Sequence, residues 1–403
     1  MNTGDTAWVL ISAALVMLMT PVLGYFYGGM VRRKNLLSTI MFSFAMLALI
    51  SIQWVLFGYS LAFGPDVKGI VGNLSWLGLN GVKGINPDYA STIPHLAFMV
   101  FQMMFAVITP ALITGAFVER IKFSSFLIFS LLWATLVYDP VAHWVWGVGG
   151  WLRNLGALDF AGGTVVHITA GFSALVFATV IKKRKGFTVV SMEPNNIPFT
   201  VFGAVFLWFG WFGFNAGSAL GANELATNAF VTTNTAAAAA ALTWMAINWI
   251  DRRPSALGMA TGAVVGLVAI TPASGFVSPA SAIVIGAVAA GISTAGIRLR
   301  NRWKLDESLD VWACHGLGGA WGAIATGIFC SKSINPAGAN GLIYGNWGPL
   351  GVQVLAVLVV IAFSMLATFI LAKLVDKIWG LAVNEAEEQV GLDISQHGEE
   401  AYY

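Results

Sequence analysis

The sequence predicts an all-α polytopic membrane protein of about eleven transmembrane helices, two five-helix inverted-topology repeats plus a C-terminal helix. Three observations lead there. The 403 residues are 57% hydrophobic and only 10% charged, with a mean hydropathy of +0.77, whereas soluble domains carry about 25% charged residues. Apolar runs of about 20 residues, the length that crosses a bilayer's hydrocarbon core, recur along the chain. One motif, a histidine set in an apolar run behind an acid, occurs once in each half.

The first run, 7–30, follows MNTGDTAWVL. That start has no basic n-region, and the run is too long for a signal-peptide core, so it reads as the first span. Runs at 37–62, 95–118, 124–143 and 163–181 follow, with a loop rich in Gly, Asn and Asp over 64–94. The second half offers 197–217, 228–250, 256–274, 280–298 and 311–330. A last run, 348–378, precedes an acidic, soluble tail. The division is a transmembrane domain over 1–380, with pseudo-repeats 1–185 and 195–333, and a tail over 381–403.

Orientation follows from the basic residues, which favour the cytoplasmic side of short loops. One set of loops holds seventeen of the 21, among them Arg32, Arg33, Lys34, Arg120, Arg184, Arg252, Arg253 and Arg300. The opposite set holds four: Lys68, Lys83, Arg153 and Lys332. The N-terminus is therefore expected outside and the tail in the cytoplasm, which an odd number of spans also requires. The net charge of +2 is scattered through short loops and gives no nucleic-acid footprint.

The repeated motif is DFAGGTVVHITAG at 159–171, with His167, and DVWACHGLGG at 310–319, with His315. A glycine follows each histidine by four residues, Gly171 and Gly319, one helical turn on and on the same face. The first spans of the halves also echo each other, GYFYGG at 24–29 and GWFGFN at 210–215. Five spans per half is odd, so the halves run in opposite directions. Inverted repeats place a site near the midplane between the halves, where His167 and His315 should meet. A full charge there costs about 2.5–3.5 kcal/mol, so neutral imidazoles are expected. Two separately satisfied structural histidines are the plainer alternative.

Asp159 opens the first motif. Two readings stand: a fixed anion that attracts cations, or an N-cap taking backbone amides. The cap is preferred, and Asp310 is read as its counterpart in the second half. Glu119-Arg120 and Asp251-Arg252-Arg253 read as ordinary turn charges. Cys314 and Cys330 share one predicted span, which argues against a disulfide. Cys314 and His315 are adjacent and cannot comfortably face one metal ion, so no metal or cofactor is expected. Thr271-Pro272 reads as a turn.

The chain resembles the ammonium transporter family (Amt/Mep, with the Rh proteins as distant relatives). The resemblance rests on GGMVRRKN at 28–35, GAFVERIKF at 115–123, the two histidine motifs, GWFGFNAGS at 210–218, TPASG at 271–275 and GLDISQHGEEAY at 391–402. These run the length of the chain in the family's order. One departure is Pro194-Asn195-Asn196-Ile197-Pro198, where the family commonly has His in place of Asn195.

The resemblance implies an eleven-helix fold, a homotrimer with one pore per subunit, and conduction of ammonium or ammonia across a cell membrane. It implies an outer site of Trp146, Phe101 and Ser218, a gate of Phe105 and Phe214, and a pore lined by His167, His315 and Trp211. It also implies that the tail couples to a PII-type signal protein. A passive NH3 channel and an ammonium sensor on the same fold are the near alternatives. A haem-binding redox protein is the remote one, in which the glycines after each histidine would make room for a porphyrin.

Overall fold

The computed structural model describes residues 1–251 and 253–402. Arg252, counted among the basic loop residues, and Tyr403, at the end of the tail, lie outside them. Eleven helical segments follow in order: α1 Thr3–Gly28, α2 Arg33–Phe63, α3 His95–Ala116, α4 Phe123–Asn154, α5 Gly163–Val180, α6 Ile197–Ala219, α7 Glu224–Asp251, α8 Ala256–Ile270, α9 Pro279–Arg302, α10 at 312–329 and α11 Gly348–Trp379. Nine of these, among the described residues, are long and apolar enough to cross a membrane by themselves. The other two are α8, of 15 residues, and α10, which opens as a π-turn, Trp312–Leu317.

Local chemistry sets several starts. Side-chain oxygens of Asn2, Asn196, Ser255 and Ser278 accept amide hydrogens of the first helical turn, satisfying donors that a helix start leaves open. Small residues set the crossings. A Cβ on Gly210 would lie 2.3 Å from Met19 Cγ, and one on Gly203 would lie 2.5 Å from the Phe26 nitrogen. The first spans of the two halves, α1 and α6, therefore lie against each other at backbone distance, where dispersion contacts are dense. The same holds for α5 and α10: a Cβ on Gly171 would lie 2.1 Å from the Gly316 nitrogen. The space a porphyrin would need beside the histidines is filled by the other helix, so the glycines serve helix crossing.

On the face that carries most basic loops, Glu119 and Arg120 are not ordinary turn charges. Both are buried, and so are Arg184 and Asp306. Glu119 pairs with Arg32 at 2.9 Å and Arg184 at 2.6 Å, and Asp306 pairs with Arg184 at 2.6 Å and Arg120 at 2.8 Å. Burial would raise the Glu119 and Asp306 carboxyls, but the guanidinium groups outweigh it and hold both below the usual range. Asp251 and Arg298 do form an exposed ion pair.

The tail is docked on this face. Its short helix Glu385–Val390 starts with a capping box of Asn384 and Glu387. Asp393 is buried and accepts the Leu37 and Ser38 amides at 3.0 and 2.8 Å, capping α2. The Arg33 guanidinium lies 4.8 Å over the Tyr402 ring. Asn195 donates to the carbonyls of Gly28 and Val31, and Tyr402 Oη donates to its Oδ1, so the departure at this position ties α1 to the tail. On the opposite face the 64–94 loop contains a small ribbon, β1 Asp66–Val67 against β2 Val71–Gly72.

Candidate functional site

Three cavities line up between the faces. The first, on the face away from the basic loops, has about 250 Å3 and is walled in part by Trp146, Phe105, Ser218, Asp159 and Gln102. Trp146 is held by its indole N–H, which donates to the Asp159 carbonyl at 2.8 Å. Ser218 Oγ donates to the Phe214 carbonyl at 2.8 Å, which leaves its lone pairs for another donor. The Phe105 ring stands perpendicular to Trp146, with centroids 5.9 Å apart.

Phe101 departs from its expected place at the mouth. It is fully buried and outside the cavity wall. Its ring packs edge-on against Phe105 at 4.9 Å, so it backs the ring that faces the cavity. Below, Phe105 and Phe214 lie 4.3 Å apart and separate the first cavity from the next.

The middle cavity is a bore of only about 10 Å3, walled by Phe214, Trp211, His167, His315 and aliphatic side chains such as Leu112 and Val264. That is about the room for one water-sized molecule. Three of the π-turns found in these helices, at Gly163–Ile168, Phe212–Ala216 and Trp312–Leu317, carry His167, Phe214 and His315. Such turns re-aim side chains at functional sites. The two histidine Nδ1 atoms are 3.2 Å apart. One must donate and the other accept, so the pair fits two neutral rings. His167 packs with its ring near-parallel to both Trp211 and Phe214, at 5.5 and 6.1 Å. Its Nε2 is buried without a partner among the described residues.

The third cavity, about 230 Å3, opens toward the basic face and is walled in part by Tyr27, Trp244, Asp310, Cys314 and His315. His315 thus belongs to both the bore and this vestibule.

The two acids part company. Asp159 Oδ1 accepts the amides of Gly162 and Gly163, and Oδ2 those of Thr164 and Val165, all within 3.0 Å. It is a cap with both oxygens fully engaged. Asp310 is not its counterpart. Asp310 has φ +60° and pairs with Arg300 at 2.9 Å. The cap of the second motif is Glu307, whose Oε1 accepts the Val311 amide at 2.8 Å. The spacing agrees: Asp159 to His167 and Glu307 to His315 are both eight residues.

Three residues escaped the sequence reading. Glu307 was legible in that spacing once the cap is measured from the histidine. Gln102 is a polar residue within a span, a signal in its own right. Thr271 accepts from the Trp211 indole N–H at 2.9 Å, a contact between α6 and the end of α8 that no local pattern carries.

Comparison with known proteins bears on the family and the fold. Residues 7–402 match the model of the Ammonium Transporter Family. An ammonium transporter of Bacillus subtilis is 52% identical over all of this chain and 99% of its own. The ammonium transporter Amt1 of Archaeoglobus fulgidus is 53% identical over the whole of both chains. The crystal structure of Saccharomyces cerevisiae Mep2 superposes with a TM-score of 0.90 at 35% identity, covering 96% of this chain and 89% of that one. A structure titled Sensor Amt Protein gives 0.89 at 29% identity, covering 98% of each. The chain belongs to the Ammonium Transporter Family, a family of multi-span membrane transporters rather than enzymes.

Proposed function

We propose that the protein recruits NH4+ at the first vestibule, separates it from its proton, and passes NH3 through the bore while the proton follows along the histidine pair. The observation that carries this reading is the 3.2 Å contact between His167 and His315 in an apolar bore between two vestibules. The bore has room for ammonia and makes any bare cation costly. K+ cannot shed its charge there, whereas NH4+ can lose a proton.

Each step has its residues. Trp146 and Phe105 offer aromatic faces, which attract a partly desolvated cation by about 2 kcal/mol or more, and Ser218 offers a hydroxyl acceptor. Phe101 supports Phe105 from behind, in place of the direct contact expected from the sequence. The Phe105–Phe214 rings move aside for the ligand. The proton passes through the hydrogen-bonded imidazoles, each ring accepting at one nitrogen as it releases at the other, and rejoins NH3 in the second vestibule. Net transfer is one NH4+, hence one charge.

The basic-residue asymmetry supports a cell membrane location with the N-terminus outside and the tail in the cytoplasm. On that orientation the first vestibule is the outer one. The family reading extends to a homotrimer, and to a PII-type signal protein docking at the tail's face.

The test is current from proteoliposomes on an ammonium jump at equal pH. The expected result is a saturating wild-type transient that K+ does not elicit, and its loss, or loss of its selectivity, in His167→Ala with His315→Ala. A wild-type protein giving no current but a fast internal alkalinisation is instead an NH3 channel. Neither signal in sealed vesicles makes the sensor reading the leading one.

A further inference from the structure

The outer site described above leaves a mismatch. Ammonium carries four N–H donors. Of the side chains walling the vestibule that are turned away from bulk water, Ser218 has lone pairs to offer; Asp88, also in the wall, is exposed to solvent. The Asp159 carboxylate does not, because four backbone amides already occupy both of its oxygens.

Gln102 fills the gap. It is 9% exposed, and it forms part of the same vestibule wall as Trp146, Phe105 and Ser218. Its Oε1 is buried with no donor among the described residues. A buried acceptor without a partner is unfavourable, and a ligand that brings N–H groups removes the penalty. Its neighbours in sequence have other tasks: Phe101 backs the gate ring, and Phe105 three residues on faces the cavity. On a helix, positions three apart share a face, so Gln102 and Phe105 present their side chains to one space.

We infer that Gln102 is a substrate-binding residue of the outer site, its carbonyl oxygen serving as the second oxygen acceptor for NH4+ beside Ser218. This rests on the outer-site reading proposed above. An amide carbonyl suits the task because it is an acceptor without a net charge. It meets an N–H of ammonium while giving a fully dehydrated alkali cation only part of the oxygen shell that such an ion requires.

The experiment compares wild type with Gln102→Met and Gln102→Glu. Met keeps the length and shape of the side chain but has no oxygen, and Glu keeps the oxygens and adds charge. Half-saturating ammonium is read from proteoliposome currents, and direct ammonium binding to the purified protein is read by calorimetry. The expected result is a rise of about tenfold or more in half-saturating ammonium for Gln102→Met, as for loss of a hydrogen bond to a charged group. The maximal current should change little, and Gln102→Glu should bind ammonium at least as tightly as wild type. A packing role predicts the reverse, with Met tolerated and Glu disruptive. Gln102→Met within twofold of wild type overturns the inference. Should wild type give no current, transport as proposed fails while calorimetry still decides the role of Gln102. Absence of wild-type ammonium binding in calorimetry overturns both the outer site and this residue's part in it.

Discussion

At the scale of single residues, the two caps are alike in place and unlike in chemistry. Asp159 has donors on both oxygens, whereas Glu307 Oε1 caps Val311 and its Oε2 is buried without a partner among the described residues. Burial pushes the Glu307 carboxyl up to about 8 from its ordinary 4.5, the nearby Asp310 charge adds to the rise, and Arg300 opposes it. The folded chain therefore holds a proton at this position that the unfolded chain releases near 4.5. The stability this group contributes is complete below that value, declines as pH rises, and is gone above about 8. Thermal unfolding in detergent from pH 5 to 8.5 should show this decline, of order a few kcal/mol in total. Glu307→Gln, which cannot titrate, should flatten it. A variant with the same pH slope as wild type removes Glu307 as the source.

At the scale of elements, the bore depends on how closely α5 and α10 cross. Gly171 rests on the Gly316 backbone, and a Cβ on Gly319 would lie 2.9 Å from that of His167. The glycine after each histidine thus makes room for the opposite helix, and this brings the imidazoles within hydrogen-bond reach. Gly171→Val inserts three carbons where one already collides. The expected loss is about 1–3 kcal/mol or more, read as a lower unfolding temperature and lower yield of folded protein. Gly291→Ala on α9, where a new Cβ meets nothing within 4 Å, is the control and should be neutral or mildly stabilising. Equal behaviour of the two variants would remove close packing as the reason for Gly171.

At the scale of the whole molecule, the basic face is held by charges that link segments far apart in sequence. Arg32, Glu119, Arg184, Asp306 and Arg120 join the loops after α1, α3, α5 and α9. The tail adds to this through Asn35, which donates to Glu119 and accepts the Leu392 amide. Removing one member of such a buried network costs more than the pair is worth, because the partner's charge is left behind. The tail's own anchor is Asp393. Asp393→Ala leaves the Leu37 and Ser38 amides open, a loss of about 0.5–2 kcal/mol, and should free the tail. Limited proteolysis followed by mass spectrometry should then find faster cleavage between 381 and 402, with the membrane helices still folded. Unchanged cleavage would place the anchor elsewhere, in the Leu392 or Tyr402 contacts.

The sequence by itself determined the spans, the fold class and the family, because lipid forces every spanning segment to announce itself as an apolar run. The end of α5 falls within a residue of the sequence reading, at 180 against 181. The histidines, Trp211, Phe214 and Ser218 stand in local strings that the sequence displays, whereas Trp146 and Phe105 were singled out through the family resemblance alone. What only the tertiary structure decided are contacts between strings. Phe101 sits behind Phe105 and not at the mouth, since which face of α3 meets the vestibule depends on its neighbours. Glu307, and not Asp310, caps the second histidine helix, since a carboxylate is a cap only where amides converge on it. Glu119 and Arg120 look like turn charges in sequence and are buried because three other loops and a docked tail close over them. Periodicity and composition act along the chain, whereas burial, pairing and the meeting of two imidazoles at 3.2 Å depend on what the rest of the chain brings alongside.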